Sequence, residues 1–245
     1  QRQMCIRDRD KEYGYWYEIG VLDGWLGTEL QSPCNQLFYL LLPFLAVLPY
    51  GSQLFSEWNN GYAGQMIIRC GRRRYLTARG IAAFVSGGCV IAIPLLVNFL
   101  SIACFMPIIV TDPMALQSVV PGRALLGDLV YEAPALYAAW YIFIDFIYGG
   151  LFALMALAIT QFCNNGFVLT ILPLMFNCCM YYGVHNLIPD INAYNISLIP
   201  NPAQQGMKLT WHSLFLSMSG TFLILIVLFA ASNYKKDVLR TGAME

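Results

Sequence analysis

Thirty consecutive residues without a charge, Ile81 to Val110, constrain this chain more than any other feature. An α-helix needs about 20 apolar residues to cross a hydrocarbon layer, and an uncharged run of this length has few places to go in water. Four further stretches read the same way: Leu37 to Phe55, Leu136 to Phe162, Gly166 to Val184 and Leu209 to Ala231. Across all five the single acid is Asp145, in the run Leu136 to Phe162. The longest run has room to tilt or to kink at Pro94. Composition agrees. The chain is 58% hydrophobic and 11% charged, where a soluble domain carries about 25% charged residues. The expected fold class is an all-α, polytopic helical membrane protein with five transmembrane helices.

Charge placement sets an expected orientation, because basic residues collect on the cytoplasmic side. Between the first two runs lie Arg69, Arg72, Arg73, Arg74 and Arg79 against one acid, Glu57. After the last run come Lys235, Lys236 and Arg240. Both regions belong on the cytoplasmic side, C-terminus included. The opposite side then holds Lys11 against Asp10, Glu12, Glu18, Asp23 and Glu29. It also holds Arg123 against Asp112, Asp128 and Glu132, and the loop Asn186 to Lys208. Nucleic-acid binding is disfavoured, since the one basic cluster sits between membrane segments.

The opening residues read differently. "QMCIRDR", Gln3 to Arg9, resembles a translated transposon-end sequencing adapter, so residues 1–9 are expected to be an artefact. Residues 10–245 form one expected domain, and a sixth helix is expected ahead of these five in the complete protein. Trp16, Tyr17 and Trp25 would then lie on an outer interfacial segment, where aromatic side chains favour the headgroup level. Eight cysteines show no CxxC pair and no Cys/His ligand spacing, so a metal or redox site is not expected. Only Cys34 among them is expected to face the outer side.

The segment 56–80, "SEWNNGYAGQMIIRCGRRRYLTARG", gathers five of the fourteen basic residues. Met66, Ile67 and Leu76 interleave with the charges, as in a short amphipathic helix lying along a membrane surface, with Ser56 or Asn59 as N-cap. One reading is simple: the arginines set topology and meet anionic lipid heads. The order of features supports another. An acid at a helix end, a glycine, then a basic tyrosine-containing run resembles the permease subunits of type 2 ABC transporters. The matching positions are Glu57, Gly61, Arg69, Arg72, Arg73, Arg74, Tyr75, Leu76 and Arg79, and the likeness in layout covers most of the chain.

That resemblance implies a coupling segment that docks on a separate ABC ATPase subunit, with a second permease subunit, identical or related, beside this one. ATP and Mg would be used by the partner, with no cofactor bound by this chain. The chain has no GxxxxGK[ST] loop of its own, so it is not expected to be an enzyme by itself. Arg suits such docking because its fork pairs bidentately with carboxylates.

Three polar residues inside the apolar runs stand out. Asp145 lies about nine residues into its run, roughly 13 Å deep at 1.5 Å per residue. An acid there either serves a transport path or helix pairing, or is a near-interface Asp that is protonated or bonded to a hydroxyl or amide on a neighbouring helix. Asn98 and Asn177 are expected to hydrogen-bond between helices. Gly87, Gly88, Gly149 and Gly150 are expected to mark close packing or bending. His185 and Asp190 share an outer end but are too few for a metal or protease site, and "NIS" at Asn195 matches a glycosylation pattern only weakly.

An intramembrane protease-like enzyme is the alternative of a different class, and it would need paired acids and histidines at depth. A non-transporting anchor or sensor is a third, and it would show a large soluble domain or long tail. An adjacent ATPase gene separates the exporter from both.

Overall fold

The computed structural model describes residues 20–28, 33–60, 62–106, 108, 125–160, 166–184, 187, 189–203 and 209–241. Among these residues every regular element is a helix and there is no strand. The adapter-like residues 1–9, Trp16, Tyr17, Gly61, residues 109–124 and His185 lie outside them.

Long apolar runs become long helices. α1 is one turn, Val21–Gly24; α2 is Pro33–Asn59; α3 is Tyr62–Cys70; α4 is Arg72–Ala103; α5 is Gly127–Glu132. α6 is Pro134–Ile159, opened by a proline at its first position, where the missing N–H costs nothing. α7 is Gly166–Cys178, continued by a π turn over Cys179–Val184. A 3-10 turn, Pro189–Tyr194, precedes α8, Trp211–Thr241. Two of these helices are long and apolar enough to cross a membrane, over Arg73–Ala103 and Pro134–Ile159.

Helix bounds depart from the apolar runs at both ends. α2 starts four residues before Leu37 and continues four past Phe55. α4 starts at Arg72, not Ile81, and ends at Ala103, not Val110. It runs on through Pro94, whose ring lies on an exposed side. Helix propensity and hydropathy are separate properties, so an apolar run need not begin or end where its helix does.

α6 is the central helix. Its most apolar stretch is 72% buried, against 28% for that of α4, as expected of a helix that is apolar all round. α2, α4, α7 and α8 surround it, and the most extensive packing is between α4 and α6. Glycines allow that closeness. A Cβ on Gly87 would sit 2.5 Å from Cβ of Ala153 and 3.0 Å from the Ala46 carbonyl of α2. A Cβ on Gly149 would sit 3.0 Å from the Gly87 carbonyl, and one on Gly150 2.5 Å from the Phe84 ring. The two helices therefore meet backbone to backbone, flanked by the edge-to-face pair Phe84–Phe146 at 5.7 Å.

The outward sides are apolar too. Ile81, Ile93, Val97 and Leu100 of α4 are more than half exposed, as are Phe215, Phe222 and Leu223 of α8.

One end of the bundle is closed by folded loop. Trp25 is fully buried, edge-on to Phe99 at 5.9 Å, and its indole N–H donates to the Leu95 carbonyl at 3.3 Å. This corrects the expectation of an interfacial Trp25: the indole packs into the bundle instead. Asn98 accepts the backbone N–H of Leu26 at 3.0 Å, so it bonds to this loop and not to another helix. Asn35, Asn201 and the Tyr137 hydroxyl, which donates to the Pro202 carbonyl at 2.7 Å, join the loop 189–203 to the same cap. Asn195 is buried, its amide donating to the Met180 carbonyl at 2.8 Å, which leaves no exposed acceptor for a glycan.

Candidate functional site

At the opposite end from this cap, the basic segment is not one unit. α2 runs to Asn59, α3 occupies Tyr62–Cys70, and Arg72 already belongs to α4. The amphipathic helix of this segment thus starts at Tyr62, later than a cap at Ser56 or Asn59 would place it. The elbow between α3 and α4 is Gly71, with φ of +80°. A Cβ there would meet nothing within 4 Å, so it is the left-handed backbone, not space, that favours glycine. The Gly71 N–H donates to the Ile67 carbonyl at 3.0 Å, and the Tyr75 N–H donates to the Gly71 carbonyl at 3.2 Å. Both backbone polar groups of Gly71 are thus bonded, one into each helix.

Three of the residues singled out by sequence come together here. Arg79 forms an ion pair with Glu57. The Tyr75 hydroxyl donates to the same Glu57 carboxylate at 3.2 Å, and the Arg79 guanidinium lies 5.3 Å from the Tyr75 ring centroid. One carboxylate at the end of α2 thus gathers a phenol and a guanidinium from successive turns of α4. The group is partly sheltered, with side-chain exposures of 15% for Arg79 and 23% for Glu57. Arg79, expected at a partner's surface, is used inside this chain.

Arg69, Arg73 and Arg74 are exposed, and Ile68 beside them is 86% exposed. Arg72, Arg73 and Arg74 occupy the first turn of α4, which holds no acid. Cations at a helix N-terminus oppose the helix dipole. The stability of α4 therefore does not account for them.

A second constellation lies in the bundle. Asp145 is fully buried; the Tyr39 hydroxyl donates to its Oδ2 at 3.4 Å, while Oδ1 has no hydrogen-bond partner. Tyr137, Tyr141, Asp145 and Tyr148 recur every three or four residues along α6 and are all buried, a polar stripe within the core. Asn177 does pair helices. Its amide donates to the carbonyls of Tyr39 at 3.3 Å and Leu40 at 3.0 Å, and Ser197 donates to its Oδ1 at 2.7 Å.

Tyr39, Ser197 and Asn35 escaped the sequence reading. One signal was present. Pro43 has no N–H, so the carbonyl four residues back, at Tyr39, lacks its helical donor. A buried carbonyl in that state needs a donor from another helix, and Asn177 supplies it. Among the described residues no three His, Cys, Asp or Glu side chains come together as a metal site would require. No family model, curated protein or solved structure matches the chain.

Proposed function

We propose that the chain is the membrane-spanning permease subunit of an ATP-driven ABC exporter, multi-pass in the cytoplasmic membrane. It works with a separate ATPase and a second permease subunit. α2, α4, α6, α7 and α8 are its five spans. Apolar side chains more than half exposed along α4 and α8 support the membrane setting, since a contiguous apolar exterior is unstable in water.

The observation that carries the reading is the braced elbow. Glu57, Tyr75 and Arg79 tie the end of α2 to the start of α4, and the short α3 between them carries an exposed basic and apolar face. A push on α3 would reach both long helices together, and α4 delivers it to α6 through the glycine crossing. Arg69, Arg73 and Arg74 would pair with carboxylates of the ATPase.

The reading expects a Walker-motif ATPase gene beside this one, and the test is co-expression with its product. The two should co-purify, and the complex should hydrolyse ATP faster than the ATPase alone. Arg69→Glu, Arg73→Glu and Arg74→Glu together should cut that stimulation on the order of tenfold or more, with the chain still membrane-inserted. Unchanged stimulation would sink the docking role. Glu57→Arg and Arg79→Glu should each weaken coupling, and the two combined should recover part of it by restoring the pair. Silent single variants would rule the brace out.

A further inference from the structure

Between α6, α7 and α8 lies a cavity of about 210 Å³. Leu151 and Phe152 of α6 form its floor, Leu172 and Phe176 of α7 one wall, and Ile224 of α8 the other. It exists because α8 leans on α6 and on the 3-10 turn, which leaves a gap on its α7 side.

The lining specifies the chemistry of an occupant. Two hydroxyl side chains reach the cavity, Tyr148 and Thr221. Both are committed to Ser217 of α8: Tyr148 donates to its Oγ at 3.2 Å and Thr221 to its carbonyl at 2.7 Å. A ligand seeking a hydrogen-bond donor finds none to spare, and a hydrocarbon loses nothing. A cavity of about 150 Å³ lined by aliphatic and aromatic side chains stays dry and accepts a benzene-sized molecule, so this one has room for a stretch of alkyl chain.

The way in is sideways. Leu151 and Phe152 on the floor are 5% and 4% exposed, whereas Leu172 and Ile224 at the rim are 38% and 51% exposed. The rim continues into the outward apolar side chains Met175 and Leu223. An occupant therefore arrives from whatever bathes the apolar sides of α7 and α8.

We propose that the cleft between α7 and α8 holds one acyl chain of a membrane phospholipid, whose headgroup stays outside. The proposal rests on the membrane-spanning reading above and adds a lipid site to it.

The full chain is reconstituted into vesicles of phosphatidylcholine and phosphatidylglycerol. They carry a trace of phosphatidylcholine with a diazirine at the end of one acyl chain. After irradiation, labelled peptides are mapped by mass spectrometry. Label should concentrate on the cleft residues of α7 and α8, several-fold above that on the outward face of α4 at Ile93 and Val97. Leu172→Trp, which fills the cleft from α7, should lower the label on α8 several-fold and leave α4 unchanged. Ile224→Trp should do the converse to α7. Label spread evenly over α4, α7 and α8 would overturn the proposal, leaving an ordinary lipid annulus. So would an unlabelled cleft beside a labelled α4, with another stretch of this chain or a second copy filling the space. No labelling of α4 either would overturn the membrane reading as well, which keeps the two failures apart.

Discussion

Asn177 and Pro43 show how one residue's defect becomes another's role. Proline at position 43 leaves the Tyr39 carbonyl without its helical partner, and the Asn177 amide donates to it at 3.3 Å. An unsatisfied buried carbonyl costs about 1–3 kcal/mol, so Asn177→Ala should destabilise the protein by an amount in that range. In a Pro43→Ala background residue 43 regains its N–H and can serve Tyr39 itself. The Asn177→Ala penalty should then shrink by about 0.5 kcal/mol or more, a coupling typical of residues in contact. A double-mutant cycle on thermal stability in detergent reads this directly, and additive penalties would show that Asn177 acts through its other partners. This pairing was half legible beforehand: Pro43 announces an orphan carbonyl, but which donor reaches it depends on how α7 lies against α2. Asp145 was legible as a costly acid, whereas its partner Tyr39 was not. No spacing links residues 106 apart.

Among the elements, α4 and α6 cross on glycines, and opposing effects there have different signs. Within an isolated helix, Gly→Ala gains about 1 kcal/mol in propensity. At Gly149 the new methyl would lie 3.0 Å from the Gly87 carbonyl and 3.0 Å from the Ile91 side chain. Backbone cannot yield as a flexible side chain can, and overpacking costs about 1–3 kcal/mol. Packing should win, so Gly149→Ala and Gly87→Ala should lower the melting temperature in detergent. A methyl added at Gly220 of α8 would meet nothing within 4 Å, which makes that position the control: Gly220→Ala should leave stability unchanged or raise it. A rise at Gly149 would mean that the crossing is looser than its geometry. The glycine pairs were visible in the sequence, but their meeting was not, because packing and bending leave the same local pattern.

For the whole molecule, α2 sets the distance between the two ends. Its 27 residues span about 40 Å at 1.5 Å per residue, enough to cross a bilayer with its headgroups. Cys34 lies at its start and Cys70 at the end of α3, and both are exposed. On the proposed membrane topology, single-cysteine variants retaining one or the other should react from opposite sides. An impermeant maleimide on intact cells should label Cys34 and spare Cys70, and permeabilisation should expose Cys70. Labelling of both from outside would refute the orientation drawn from the arginine cluster, and with it the cytoplasmic elbow.

The amino-acid order alone settled that this chain is helical, where its main helices lie to within about ten residues at each end, and which stretch gathers the arginines. Those properties are local: a run without charges and a cluster of arginines need no partner to be read. What required the folded molecule was the assignment of inside and outside. Trp25 is buried by a helix 70 residues away, and Asn177 finds its carbonyl 138 residues away. Arg79 faces inward while Arg73 and Arg74 face out, although all three share one basic run. Each outcome turns on which surfaces meet when the helices pack, and an apolar helix offers nearly equivalent faces until its neighbours choose among them.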